Sequence, residues 1–277
     1  MLVCLNGTFI PHEVAQLPIT DGGFLFGDTL FETLKAFDQK ILLVKEHLDR
    51  LQLSAELIDF PCDRKRIETS LHQMANSLSA PVSRVRLTLT RGTFQGLTFP
   101  TPETGSYLLT AIKMEEISEP EREIGAACVT APNQRINPLS HLPQMKRGNY
   151  SDCLYAANYA RTKGAHEALF VDPNGNLLEG STSNLFALID DKLLTPPLGQ
   201  TVLAGVMRRQ IIDAAAELGI LVCEKEITKK ELLEAEEAFL CNSLIDILPL
   251  ASLDGKPLKR GCTWKTILKT LKMRIDT

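Results

Sequence analysis

The sequence predicts an α/β (α+β) protein of two domains: a small N-terminal one over residues 1–115 and a larger C-terminal one over 122–277, with a linker at 116–121. Three observations predict it. Short apolar runs that read as strands alternate with stretches whose apolar residues recur at helical spacing, which is the pattern of sheets with helices on their outside. A chain of 277 residues can bury two modest cores. Residues 114–121 are polar and acidic and include Pro120, so the apolar pattern is interrupted there.

The elements follow in order. Residues 2–5 and 8–10 flank Asn6-Gly7, a hairpin signal, because both residues accept the positive φ of a two-residue turn. Residues 19–33 place Gly22, Gly23 and Gly27 with Asp21 and Asp28 among aromatic residues, which predicts a shaped loop; a buried connection is the plainer reading. Residues 32–37 and 41–44 read as strands around a polar turn. Leu48, Leu51, Ala55 and Ile58 recur at helical spacing, so 45–58 is an amphipathic helix, and 63–79 is a second helix. Residues 85–91 and 107–112 are strands around a loop rich in Gly, Thr and Pro. Beyond the linker come a strand at 126–130 and then Arg135-Ile136-Asn137-Pro138, leading to Lys146. A helix-like run, a strand at 167–171, a tight turn and an apolar strand beside Glu179 follow. A glycine-containing turn feeds a helix at 206–218, a strand ends near 239–244, and an amphipathic helix closes the chain at 263–275.

Composition excludes several classes of function. The net charge is −4, from 30 basic and 34 acidic residues that are well mixed, so no basic patch points to nucleic acid. No apolar run approaches the ~20 residues that cross a bilayer, and the first residues lack the charged start of a signal peptide. The seven cysteines are scattered without a C-x-x-C pair and read as reduced thiols of a cytoplasmic protein; the five histidines are equally dispersed, so no metal site is expected.

Two residues carry the chemistry. A lysine beside buried structure can lose its proton and attack a carbonyl, and Lys146 opens the central unit. A carboxylate entering an apolar strand, as Glu179 does, needs a cationic partner, because a buried charge alone is too costly. Pyridoxal phosphate supplies both needs, an aldehyde for the lysine and a pyridinium nitrogen for the carboxylate. Taken singly, each residue has a plainer reading: a solvated lysine, a solvent-facing glutamate.

Lys146-x-x-Asn149-Tyr150, the strand Glu167-Ala168-Leu169-Phe170-Val171, and Glu179-Gly180-x-x-x-Asn184-Leu185-Phe186 resemble the core of the fold-type IV pyridoxal-phosphate enzymes, the class IV aminotransferase family with its D-amino-acid aminotransferase-like fold. The resemblance spans nearly the whole chain. It implies that Lys146, in the C-terminal domain, carries the cofactor, that Glu179 pairs with the pyridine nitrogen, and that Tyr150 lies against the ring. His47-Leu48-Asp49-Arg50-Leu51 resembles the family element whose arginine, here Arg50, binds the phosphate, and an arginine fork suits a phosphate well. The helix start at Val206 and Met207 is implied as a second phosphate contact, since a helix N-terminus attracts anions. Ser243 stands where relatives carry phosphate-binding hydroxyls, although a serine there also reads as a turn residue. Residues 21–33 resemble the family's N-terminal motif, which implies a homodimer with residues 24–31 approaching the partner's site and the cofactor between the two domains.

Within the family, the residues favour aminodeoxychorismate lyase. Thr33 follows Phe31-Glu32, where branched-chain enzymes have glycine, and its hydroxyl can relay a proton; a β-branched strand residue is the alternative. The spacing from Lys146 to Asn149 resembles lyases and D-amino-acid enzymes, the loop after Arg91-Gly92 lacks the R-x-H carboxylate trap of the D-amino-acid enzymes, and Asn242-Ser243-Leu244 is lyase-like. Tyr150 resembles the branched-chain enzymes instead, with a helix core residue as the equal alternative, and Gln95 stands where lyases often hold a second arginine. The expected activity is conversion of 4-amino-4-deoxychorismate to 4-aminobenzoate and pyruvate for folate biosynthesis, with Lys146 and Thr33 catalytic. The alternative is an aminotransferase acting on branched-chain or D-amino acids with 2-oxoglutarate.

Overall fold

A computed structural model describes residues 1–275, which fall into two compact units. The first comprises residues 1–116 and 145–150; the second comprises 117–144 and 151 onward.

The first unit is a six-stranded antiparallel sheet: β1 (Leu2–Leu5), β2 (Thr8–Ile10), β3 (Thr29–Phe37), β4 (Lys40–Ile41), β5 (Val82–Thr90) and β6 (Ser106–Lys113), in the order β2-β1-β6-β5-β3-β4. β3 and β5 pair without a bulge from Thr29 opposite Thr90 to Phe37 opposite Val82. Side chains therefore alternate strictly between the two faces of β3. One face carries Leu30 and Leu34, which join Val85, Leu87, Leu89 and Leu109 in a core closed by helices α2 (Val44–Leu57) and α3 (Arg64–Asn76). The other face carries Phe31 and Thr33. Residues 21–27, expected as a loop, contain a five-residue helix, α1 (Gly22–Phe26). Asp21 caps it by accepting from the Gly23 N–H at 2.7 Å, and Gly27 ends it at φ +65°, a conformation glycine takes without strain.

The second unit holds a ten-stranded mixed sheet. Its strands are β7 (Ala126–Thr130), β8 (Glu167–Val171), β9 (Asn176–Gly180), β10 (Asn184–Ile189), β11 (Lys192–Thr195), β12 (Val222–Glu224), β13 (Ile227–Thr228), β14 (Glu237–Asn242), β15 (Asp246–Leu253) and β16 (Lys256–Pro257). The path is β12-β11-β10-β14-β15-β7-β8-β9-β13, with β16 on β15; β7 runs parallel to both β15 and β8. Leu185, Ala187 and Leu240 face one core, while Phe186 and Phe239, directly opposed, stack on the other face at 5.3 Å. The helices are α4 (Glu119–Ile124), α5 (Ser151–Thr162), α6 (Val206–Glu217), α7 (Lys229–Glu234) and α8 (Thr263–Ile275).

Two further features differ from the sequence expectation. The acidic stretch expected as a linker to 121 is half helix: Ser118 and Glu121 form a reciprocal capping box that starts α4. By its contacts, Met145–Tyr150 groups with the first unit rather than with the C-terminal chain around it, because it lies along the start of β3.

Candidate active site

In the first unit, the Phe31 N–H donates to the Lys146 carbonyl at 3.0 Å, the Gly148 N–H donates to the Thr29 carbonyl at 2.9 Å, and Leu30 bridges Arg147. Gly148 allows this close approach, since a Cβ there would collide with Thr29 Oγ1. Lys146 Nζ lies 4.7 Å from the centroid of the Phe31 ring and 5.9 Å from that of Tyr150, and these two rings meet edge-on at 5.4 Å. Thr33 shares the Phe31 face. Directly across from it on β5 stands Arg86, whose guanidinium lies 3.9 Å from the Phe31 centroid and whose Nε donates to Thr88 Oγ1 at 3.3 Å. The Lys146 face is thus lined by aromatic rings, a hydroxyl and an exposed cation.

The opposite face of β3 holds Glu32, which is 1 % exposed. Arg50 Nε donates to its Oε1 at 2.8 Å and Arg50 Nη2 to its Oε2 at 2.5 Å, while His47 Nδ1 lies 2.6 Å from Oε2. Burial alone would raise the Glu32 pKa, but Arg50 and His47 override it and hold the group at about 2. His47 moves down, chiefly through its own burial, with the charges of Arg50 and Lys146 adding. Arg50, the expected phosphate ligand, is held in place by this forked ion pair.

In the second unit Glu179 lies within β9 and is buried. Its Oε1 accepts from Arg135 Nε at 2.8 Å, and its Oε2 accepts from the Leu203 N–H at 2.9 Å and from Asn184 Nδ2 at 3.4 Å. Asn184 Nδ2 also donates to the Leu203 carbonyl at 3.0 Å. Two residues further on is Gly205, where a Cβ would collide with Asn184 Oδ1. Glu179 and Asn184 thereby pin the loop that delivers α6. No side chain caps that helix and no acidic residue stands in its first turn, so the N–H groups at Val206 and Met207 form a positive helix end. Ser243 occupies the turn between β14 and β15, shaped by Asn242, whose Oδ1 accepts from the Leu244 and Ile245 N–H groups at 2.9 and 3.0 Å.

The structure thus brings Lys146, Tyr150 and Thr33 to one sheet face, puts Arg50 on the reverse of the same strand, and ties Glu179 to the loop before Val206 and Met207. Arg86 and Arg135 were not anticipated. The signal for Arg135 was the unmet need of a buried carboxylate for a cation. For Arg86 it was an arginine two residues before Thr88 in an alternating strand, on the face opposite Val85 and Leu87.

The pattern of the family described as amino-transferase class IV matches residues 29–253. The chain belongs to the class IV aminotransferases. Its fold is that of the fold-type IV enzymes, and its cofactor is pyridoxal phosphate. A Methanocaldococcus jannaschii protein named "Putative branched-chain-amino-acid aminotransferase" is 31% identical over 92% of this chain and 89% of its own. The crystal structure of a branched-chain aminotransferase from Thermoproteus uzoniensis with norvaline is 26% identical, with a TM-score of 0.87 over 98% of this chain and 93% of that one. The crystal structure of 4-amino-4-deoxychorismate lyase from Pseudomonas aeruginosa is also 26% identical, with a TM-score of 0.87 over 100% of both chains. The residues present fit the cofactor. A buried carboxylate suits the ring nitrogen, and a helix start with a glycine that admits no Cβ suits a phosphate. Among the described residues no helix is long and apolar enough to cross a membrane, and no cluster of His, Cys, Asp and Glu could hold a metal ion.

Proposed function

We propose that this class IV enzyme converts 4-amino-4-deoxychorismate to 4-aminobenzoate and pyruvate. The observation that carries the reading is the Thr33 hydroxyl on the face that presents Lys146 and Tyr150, directly opposite Arg86. An exposed guanidinium beside the reacting face suits a substrate with two carboxylates and is out of place against a purely aliphatic side chain. 2-Oxoglutarate would satisfy that cation equally well, so the hydroxyl decides in favour of elimination.

In this reading Lys146 holds the cofactor. Glu179 would pair with the pyridine nitrogen, Tyr150 would lie against the ring, and Arg50, Ser243 and the N–H groups at Val206 and Met207 would hold the phosphate. The bound cofactor supplies a ring that withdraws electrons from the substrate carbon next to the amine. Lys146 Nζ would take the proton from that carbon. The C–O bond to the enolpyruvyl group then breaks, the six-membered ring becomes aromatic, and Thr33 Oγ1 relays a proton to the departing enolpyruvate. The atoms of the substrate equal those of 4-aminobenzoate plus pyruvate, so no oxidant or reductant is needed.

The working unit is a homodimer. Ile19, Phe24 and Leu97 of the first unit are 79 %, 75 % and 89 % exposed, apolar side chains of the kind that a second copy would cover. The cytoplasm is the proposed compartment, in keeping with seven free cysteines.

An assay of pyruvate release from 4-amino-4-deoxychorismate tests the reading. The second reading, an aminotransferase, draws on the 31% identical relative named for branched-chain amino acids. Rapid amino transfer from leucine or alanine to 2-oxoglutarate without pyruvate release would establish it and refute the lyase.

A further inference from the structure

In the second unit, Glu167 is a buried carboxylate that the proposed chemistry does not use. It opens β8 at 4 % exposure, and its oxygens accept from three consecutive hydroxyl residues in the turn between β9 and β10. Oε1 accepts from the Ser181 N–H at 3.1 Å and from Ser181 Oγ, and Oε2 accepts from Thr182 Oγ1 at 2.8 Å and from Ser183 Oγ at 3.0 Å. The Gly180 N–H closes the turn by donating to the Ser183 carbonyl at 2.7 Å, and the Ser181 N–H also reaches the Ala168 carbonyl at 3.0 Å. Moving residues 181–183 off β8 would leave several polar groups unpaired at once, so this turn is a fixed point.

Asn242 fastens a second turn to the first. Its Oδ1 accepts from the Leu244 and Ile245 N–H groups at 2.9 and 3.0 Å, within the turn that bears Ser243. Its Nδ2 donates across to the Thr182 carbonyl at 3.2 Å. Two N–H donors on one side and a carbonyl on the other require an acceptor and a donor from one short side chain, which is what an amide supplies. An aspartate would set an oxygen against the Thr182 carbonyl. A serine could accept within its own turn but could not reach across.

We propose that Asn242 is a positioning residue, which aims the Ser243 hydroxyl at the cofactor phosphate by fastening its turn to the 181–183 turn. Glu167 holds that second turn to β8, so Ser243 is placed from the sheet rather than from a loose loop. This rests on the reading that Ser243 holds the phosphate.

The test compares binding of pyridoxal phosphate and of pyridoxal to the apoprotein by equilibrium dialysis. The ratio of the two affinities measures the worth of the phosphate, independently of turnover and of contacts to the ring. Ser243→Ala should lower the ratio by about tenfold or more, the scale of one hydrogen bond to a charged group. Asn242→Ser should lower it to a similar extent while pyridoxal binds as it does to the wild type. The double variant should lose no more than Ser243→Ala alone, because the hydroxyl that Asn242 aims is already gone. Losses that multiply in the double variant, or an Asn242→Ser protein with the wild-type ratio beside a reduced Ser243→Ala, would overturn the proposal and leave the Ser243 reading standing. Should Asn242→Ser not fold, Asn242→Asp enters the same comparison. Its added charge lowers the ratio with or without Ser243, so the part of its effect that vanishes in the Ser243→Ala background is the part that counts, and its absence overturns the proposal. A Ser243→Ala protein with the wild-type ratio overturns the reading itself and the proposal with it.

Discussion

Replacing Glu32 with Gln should destabilise the first unit strongly at neutral pH and much less in acid. Glu32 is 1 % exposed, and its two oxygens accept from Arg50 twice and face His47. Its pKa falls from an ordinary 4.5 to about 2 in the folded chain. A depressed carboxylate contributes stability that is fully present above the unfolded pKa and is lost as pH falls through the folded one. At 1.36 kcal/mol per unit, the shift corresponds to about 3 kcal/mol at pH 7 and to less than half of that at pH 3. No discount for solvent screening applies to so buried a carboxylate. Glu32→Gln keeps the shape of the side chain but leaves the Arg50 fork facing an amide, a broken buried pair of the kind that costs ~3–5 kcal/mol. Urea unfolding of the wild type and the variant at both pH values measures the gap. A gap below about 1 kcal/mol at pH 7, or one of equal size at pH 7 and pH 3, would refute the reasoning.

Three further outcomes follow from the site. Lys146→Ala should abolish the visible absorption of the protein reconstituted with pyridoxal phosphate; a surviving band would place the attachment elsewhere. Thr33→Gly should lower pyruvate release by roughly 10²-fold, the range for one acid–base group, while cofactor loading measured by equilibrium dialysis stays at the wild-type level. Gly205→Ala, whose Cβ would collide with Asn184 Oδ1, should displace the start of α6. It should weaken binding of pyridoxal phosphate by about tenfold, with far less effect on pyridoxal, which lacks the phosphate. Equal losses for both ligands would remove the α6 start from the phosphate site.

What the sequence shows and what it hides divide along physical lines. Helices α2, α6 and α8 were legible because each buries one apolar stripe, so periodicity alone reports them. Helix α4 was not, because its six residues, Glu-Pro-Glu-Arg-Glu-Ile, carry no such stripe; its only signal is the capping box from Ser118 to Glu121. Helix α1 hid for a related reason, since two of its five residues are glycine and it is held by its caps rather than by propensity. For the site, motif resemblance singled out Lys146, Glu179 and Arg50, but it could not supply their partners.

Those partners are charges paired at long range: Glu32 with Arg50 across 18 residues and Arg135 with Glu179 across 44. No periodicity encodes such pairs, yet a weaker constraint was available. His47 and Arg50 stand three apart, so they lie near one another on the helix that also buries Leu48 and Leu51. An arginine turned inward there demands a carboxylate, and Glu32 is the acidic residue of a strand otherwise buried on that side by Leu30, Leu34 and Ala36. The same demand, run from Glu179, leads to a cation in the segment before Lys146, where Arg135 is the first basic residue after β7. Charge balance within a buried core therefore carries sequence information that hydrophobic pattern lacks. In this protein it leads to the residues that hold Arg50 and Glu179, the proposed cofactor ligands, in place.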